Sequence, residues 1–177
     1  MDSGEYVVLY EDEVSFYLAS TITRKWAKKG VQPIVKSGEY KKRVGYFGFV
    51  EPASGKLVTV EFKSSEHRTF IKAIETAVEV YGKDKKILII LDNVSSHHKA
   101  QKVIECNNLL QNVTFLYLPT YSPDLNPIER VWRITRKEQT HNRFFSCLSE
   151  IRETLNSYFR RFLVDNSKLK TLCTTDN

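Results

Sequence analysis

The chain's 177 residues and 20.6 kDa suit one domain with a full core, and 41% hydrophobic with 27% charged residues excludes wholesale disorder or collagen-like repetition. An apolar run no longer than five residues (87–91), the lack of a charged-then-apolar leader and three scattered cysteines argue against a membrane span, secretion, a disulfide framework or a zinc knuckle, so the expected setting is intracellular and reduced. The net charge of +6 is localised: residues 1–129 carry +1 and residues 130–170 carry +6, which reads either as a polyanion site or as a solvated helix face.

Residues 6–18 read as a strand in which Val7, Val8, Leu9 and Tyr10 lead into Glu11, Asp12 and Glu13. Residues 22–42 are polar, contain Gly30, Pro33 and Gly38, and read as a connection anchored by Trp26. Two strands, 43–50 and 56–62, flank a Glu-Pro-Ala-Ser-Gly turn, so a hairpin is expected. The period then changes. Phe70, Ile71, Ile74, Ala77, Val78 and Tyr81 recur at helical spacing within 64–81, with Ser65 as the expected N-cap. Residues 86–92 form a continuous apolar strand, the pattern of burial on both faces, and end in Asp92-Asn93. A helix over 96–110 and a short strand over 113–118 follow.

Three prolines between 119 and 127 exclude a regular element there, and Pro127 suits the first turn of a helix running to Arg143. The last helix, 148–163, lines up Leu148, Ile151, Leu155, Phe159 and Phe162, with Arg152, Arg160 and Arg161 on the other face. An antiparallel meander followed by alternating helices and strands predicts a single α/β domain spanning 1–177, a mixed five-stranded sheet with helices on both faces.

Three carboxylates stand out by position. Asp12 lies in the first strand, Asp92 ends the buried fourth strand, and Glu129 opens the helix after the proline-rich loop. Strand ends are where ligands gather in α/β sheets, so if the first and fourth strands are neighbours, Asp12 and Asp92 converge and Glu129 closes the set. Converging carboxylates repel unless a cation joins them, and hard oxygen donors without Cys or His select Mg²⁺ or Mn²⁺. Each residue also has a plainer explanation. Asp92 with Asn93, Ser95 and Ser96 suits a turn and helix cap, and Glu129 complements a helix dipole. Glu11 and Glu13 alternate with Asp12, so periodicity cannot decide which acidic face matters. A two-carboxylate glycosidase is the competing class, since nine Tyr and two Trp could supply sugar platforms. Arg133, Arg136 and Lys137, at three, seven and eight residues beyond Glu129, and Arg130 at the start of the basic segment fit a phosphate backbone better.

The stretch L-P-T-Y-S-P-D-L-N-P-I-E-R-V-W (118–132) resembles the signature around the last catalytic carboxylate of mariner-superfamily DDE transposases, especially their bacterial and archaeal insertion-sequence branch. Y-E-D-E-V-S-F (10–16) and I-I-L-D-N-V-S-S-H (89–97) are similar to two further motifs in the same order. Trp26-Ala27 with Lys29-Gly30-Val31 resembles the segment between the family's first two strands, and the likeness spans roughly residues 6–162. The resemblance implies an RNase H-like fold and two-metal phosphoryl transfer, with two Mg²⁺ or Mn²⁺ ions held by the catalytic carboxylates Asp12, Asp92 and Glu129. The implied reaction is cleavage at transposon ends followed by attack of the freed 3′-hydroxyl on target DNA. DNA is the implied partner, a homodimer the implied active form, and a cytoplasmic, nucleoid-associated location the implied setting in a prokaryote.

By the same resemblance, His97 matches a histidine that reaches DNA or the site, although an exposed helix-start histidine is equally expected. Tyr121, Ser122 and Pro123 are expected to shape the loop that delivers Glu129, and Trp132 to pack its helix. Thirty-six residues separate Asp92 from Glu129, close to the family's spacing. One departure is that family members carry helix-turn-helix modules upstream, whereas about ten residues precede Asp12. The chain is therefore expected to hold the catalytic domain without that module. A related nuclease acting on hybrids or branched DNA and a non-catalytic DNA-binding remnant are the alternatives.

Overall fold

Strict alternation along one long strand organises the molecule. In the computed structural model, which describes residues 6–24, 26–30, 34–120 and 122–174, β1 runs Tyr6–Tyr17. Successive side chains of a strand point to opposite faces. Val7 and Leu9 accordingly join one core, and Val14 and Phe16 the other. Glu11 shares the face of Val7 and Leu9, whereas Asp12 shares that of Val14 and Phe16. The ambiguity of the acidic cluster is thereby resolved.

β2 (Arg43–Glu51) and β3 (Lys56–Phe62) form the expected hairpin, and β4 (Lys86–Leu91) and β5 (Val113–Tyr117) complete a sheet of order β3-β2-β1-β4-β5. β1 is shared between two partners. It pairs parallel with β4 from Tyr6↔Lys86 to Tyr10↔Ile90, and antiparallel with β2 from Tyr10↔Val50 to Tyr17↔Arg43. Past Tyr10 the β4 side of β1 carries no ladder, and a crevice opens at the carboxyl ends of the two parallel strands, where the connections leave in opposite directions.

Helices α1 (His67–Tyr81) and α2 (Ser95–Cys106) cover the Val7–Leu9 face through Phe70, Ile74, Ala77, Ala100 and Ile104. The other face is covered by α3 (Ile128–Thr135), α4 (Leu148–Arg160) and α5 (Ser167–Thr174), with Trp132, Ile151, Leu155, Phe159 and Leu169 buried. Each fully buried large apolar side chain contributes about 1.5–3 kcal/mol. Among the described residues no helix is long and apolar enough to cross a membrane.

Several local expectations change. Glu66, not Ser65, occupies the N-cap position of α1, with Thr69 Oγ1 donating to the Glu66 carbonyl. The α3 helix widens into a π turn at Arg136–Thr140, closed by the His141 amide on the Arg136 carbonyl at 2.8 Å, and stops short of Arg143. Trp26 does not anchor the connection among the described residues, where it is 99% exposed. Val31 and Pro33 of the same connection lie outside the described residues. The helix α5 was not expected at all. It closes over the hairpin turn, where Gly55, at φ +72°, sits so near the Asn166 carbonyl that a Cβ could not be accommodated.

Candidate active site

One cleft of about 410 Å³ is lined by Asp12, Asp92 and Glu129 together with Asn93, Ser122 and Asn126. The register explains the first pair: continuing β1 and β4 two residues past Tyr10↔Ile90 brings Asp12 level with Asp92. Glu129 arrives from the first turn of α3. Buried Asn126 fixes that arrival, because its Nδ2 donates to the Glu11 carbonyl at 2.8 Å and its Oδ1 accepts the Ile128 amide at 3.3 Å. The three sequence-predicted carboxylates are therefore brought together, two by strand ends and one by a helix tied to β1. Among the described residues no three ligand side chains stand close enough to hold an ion as they are, so the carboxylates line an open cleft rather than a closed cage. Tyr121 lies outside the described residues, while Ser122 lines the cleft.

Electrostatically the site is unbalanced. Burial raises the Asp12 carboxyl to about 7, and the charge of Glu129, followed by that of Asp92, pushes the same way. The Trp132 indole opposes this by donating from Nε1 to Asp12 Oδ2 at 3.0 Å. Trp132 packs its helix as expected, being 1% exposed, but its hydrogen bond to Asp12 was missed. The available signal was its position three residues after Glu129, one turn on along the same side of α3.

Behind the cleft lies a second group. Glu11 is fully buried on the α1–α2 face, and burial, reinforced by Asp12, Glu13 and Asp92, raises its carboxyl well above the usual range. His97, also buried, lies between Glu11 and Asp92, stacked on Phe70 with centroids 4.4 Å apart. The expectations that His97 reaches DNA or is an exposed helix-start residue are therefore corrected: at 3% exposure its ring lies between buried Glu11 and the cleft residue Asp92.

The basic residues divide. Arg133 and Lys137 are exposed on α3 and its π turn. Arg136 is half-buried, with its guanidinium over the Phe16 ring. Arg130 turns toward α5, donating from Nη1 to the Leu172 carbonyl at 3.2 Å. Other parts of the surplus serve the fold, through Arg152–Glu61 at 2.8 Å and Lys168–Glu138 at 2.6 Å.

Residues 7–152 match the family described as DDE superfamily endonuclease. The chain is 28% identical over 151 residues to the insertion element IS630 uncharacterized 39 kDa protein of Shigella sonnei, covering 84% of this chain and 43% of that protein. The chain thus spans less than half the length of that curated relative. In structure it is similar to the Mos1 transposase paired-end complex with left transposon end, at TM-score 0.67 and 13% identity, covering 93% of this chain and 50% of that one. The catalytic domain of Mos1 mariner transposase alone gives TM-score 0.55 at 13% identity, covering 94% and 78%. The fold is the RNase H-like fold expected from the sequence.

Proposed function

Because the chain belongs to the DDE superfamily endonuclease family, we propose that it is a transposase catalytic domain that cuts DNA at transposon ends and joins those ends to target DNA. The observation that carries this reading is the meeting of Asp12, Asp92 and Glu129 on one cleft. Three carboxylates with no cationic side chain among the described residues that line their cleft, one of them raised to about 7 by burial and by its neighbours, form a donor set suited to Mg²⁺ or Mn²⁺. Similar solved structures include Mos1 complexes with Mn and with Mg and a Mos1 strand transfer complex, which supports the same assignment.

Asp12 and Asp92 would hold both of two divalent ions and Glu129 one of them. When bound, such a pair supplies activation of a water or 3′-hydroxyl and stabilisation of the leaving oxygen in an in-line displacement. The protein's part is positioning. Trp132 fixes one oxygen of Asp12, and Asn126 ties the start of α3, and with it Glu129, to β1. Arg133 and Lys137, exposed beyond Glu129, bind the phosphates that flank the scissile bond. Two copies of the chain acting on paired ends complete the proposal.

The experiment is a nicking assay on supercoiled plasmid with Mn²⁺ or Mg²⁺, followed by strand transfer from a pre-cut transposon-end oligonucleotide. The wild-type chain produces ion-dependent nicks and joined products, and folded Asp92→Ala and Glu129→Ala chains produce neither. Ion-independent cleavage, or cleavage surviving both substitutions, overturns the reading. Cleavage restricted to RNA–DNA hybrids assigns the same site to a nuclease instead.

A further inference from the structure

A carboxylate removed from water with neither oxygen hydrogen-bonded is among the costliest placements in a fold, and Glu11 is in that position. The imidazole of His97 faces it, with Nε2 3.7 Å from Glu11 Oε2 and 3.9 Å from Glu13 Oε1. Nε2 likewise has no hydrogen-bond partner among the described residues. The other ring nitrogen, Nδ1, lies 2.9 Å from Asp92 Oδ1 and 3.2 Å from the Asp92 carbonyl. Both of those are acceptors, so Nδ1 carries the hydrogen and donates it. The ring is stacked on Phe70 and 3% exposed, which leaves it little freedom to turn.

Asp92, by contrast, needs direction. It sits just past the end of β4 with a side chain 53% exposed. We infer that His97 and Glu11 are positioning residues for Asp92, the imidazole backed by the buried Glu11 side chain at 3.7 Å and holding the cleft carboxylate in front through Nδ1. The arrangement links both strand-end aspartates to β1. Asp12 enters the cleft from one face, while its neighbour Glu11, on the opposite face, reaches Asp92 through His97. Ligating carboxylates are commonly held by such outer hydrogen bonds, and losing them weakens metal binding about 10–100-fold. This inference rests on the functional reading above, which makes Asp92 a metal ligand.

The test is calorimetric titration of the full chain with Mn²⁺ alone, with thermal melting alongside. His97→Phe keeps a ring against Phe70 and removes the donor, so affinity falls about 10–100-fold. His97→Asn, whose amide can stand where Nδ1 stood, restores most of it. Glu11→Gln is nearly isosteric and removes the ionisable group. It weakens Mn²⁺ binding severalfold while leaving the melting temperature unchanged or raised, and carries the test should His97→Phe unfold. On a His97→Asn background the same change has no further effect, because the shorter side chain no longer reaches Glu11. Wild-type Mn²⁺ affinity in both His97→Phe and Glu11→Gln, with binding lost in Asp92→Ala, overturns this inference and leaves the functional reading standing. A wild-type chain whose Mn²⁺ binding is insensitive to Asp92→Ala overturns both.

Discussion

Trp132 reaches Asp12 across the width of the α3–sheet interface, its indole Nε1 donating to Oδ2 at 3.0 Å. The contact exists because Gly48, the cross-strand partner of Asp12 in β2, leaves room for the ring. A Cβ there would stand 2.3 Å from Trp132 Cη2 and 3.0 Å from Ile128 Cδ1. A missing side chain in one strand thus admits the donor that orients a carboxylate in the next.

Replacing Trp132 by Phe keeps an aromatic body in the core and removes the donor. Stability falls by about 1–3 kcal/mol, the usual loss for a buried hydrogen bond to an ionisable group. Mn²⁺ affinity drops about 10-fold or more because Asp12 is no longer held. Urea unfolding and Mn²⁺ titration of the same samples separate the two effects.

Gly48→Ala approaches the same contact from the sheet. The added methyl forces Trp132 and Ile128 away from β2, and overpacking of this kind costs about 1–3 kcal/mol. The diagnostic result is loss of metal-dependent nicking beyond what the drop in unfolding midpoint accounts for.

The pH dependence follows from Asp12. Its carboxyl rises to about 7 in the fold, above the ordinary aspartate value, so between roughly pH 4 and 7 the native state holds more protons than the unfolded chain. Metal-free stability therefore falls as pH rises through that window, by about 4 kcal/mol from this group alone. Buried Glu11 acts in the same direction. Added Mg²⁺ recovers stability above pH 7 by binding only the folded state. Asp12→Asn removes this share of the metal-free slope, leaving that of Glu11, and abolishes the Mg²⁺ effect, measured as urea midpoints across the pH range.

Asn126→Ala removes a donor to the Glu11 carbonyl and an acceptor for the Ile128 amide, leaving both backbone groups in a buried place without those partners. A loss of about 2–4 kcal/mol is expected for two such groups. Asn126→Asp preserves the acceptor and recovers part of it.

Arg133→Ala and Lys137→Ala each lower non-specific DNA affinity and reduce the slope of log affinity against log salt by about 0.9, the signature of one lost phosphate contact. Arg130→Ala instead acts on stability, because that side chain is bound to α5. A salt-dependence series on duplex oligonucleotides distinguishes the two kinds of arginine.

What could be read in advance tracks how far each signal is local. The apolar run of β4 and the turn between β2 and β3 carry their structure in adjacent residues, and both strands stand within a residue or so of the expected limits. The parallel pairing of β1 with β4 was needed only as a condition, and once met it brought Asp12 and Asp92 together. Alternation alone does not say which acidic residue of β1 faces the cleft, since it is the same in either phase; the motif resemblance points to Asp12, and in the fold Asp12 meets Trp132 while Glu11 meets His97. The α5 helix escaped notice because its eight residues offer only Leu169, Leu172 and Cys173 as an apolar stripe. Trp26 is an anchor by residue type, but among the described residues nothing covers its side chain.

The two cores also set an order of completion on the ribosome. Everything that seals the Val7–Leu9 face, through α2 and β5, has been synthesised by residue 117. The opposite face of the same sheet stays bare until α3, α4 and α5 emerge, and α3 is also what delivers Glu129 and Trp132. A nascent chain can therefore bury half its sheet while the third carboxylate of the cleft is still unmade.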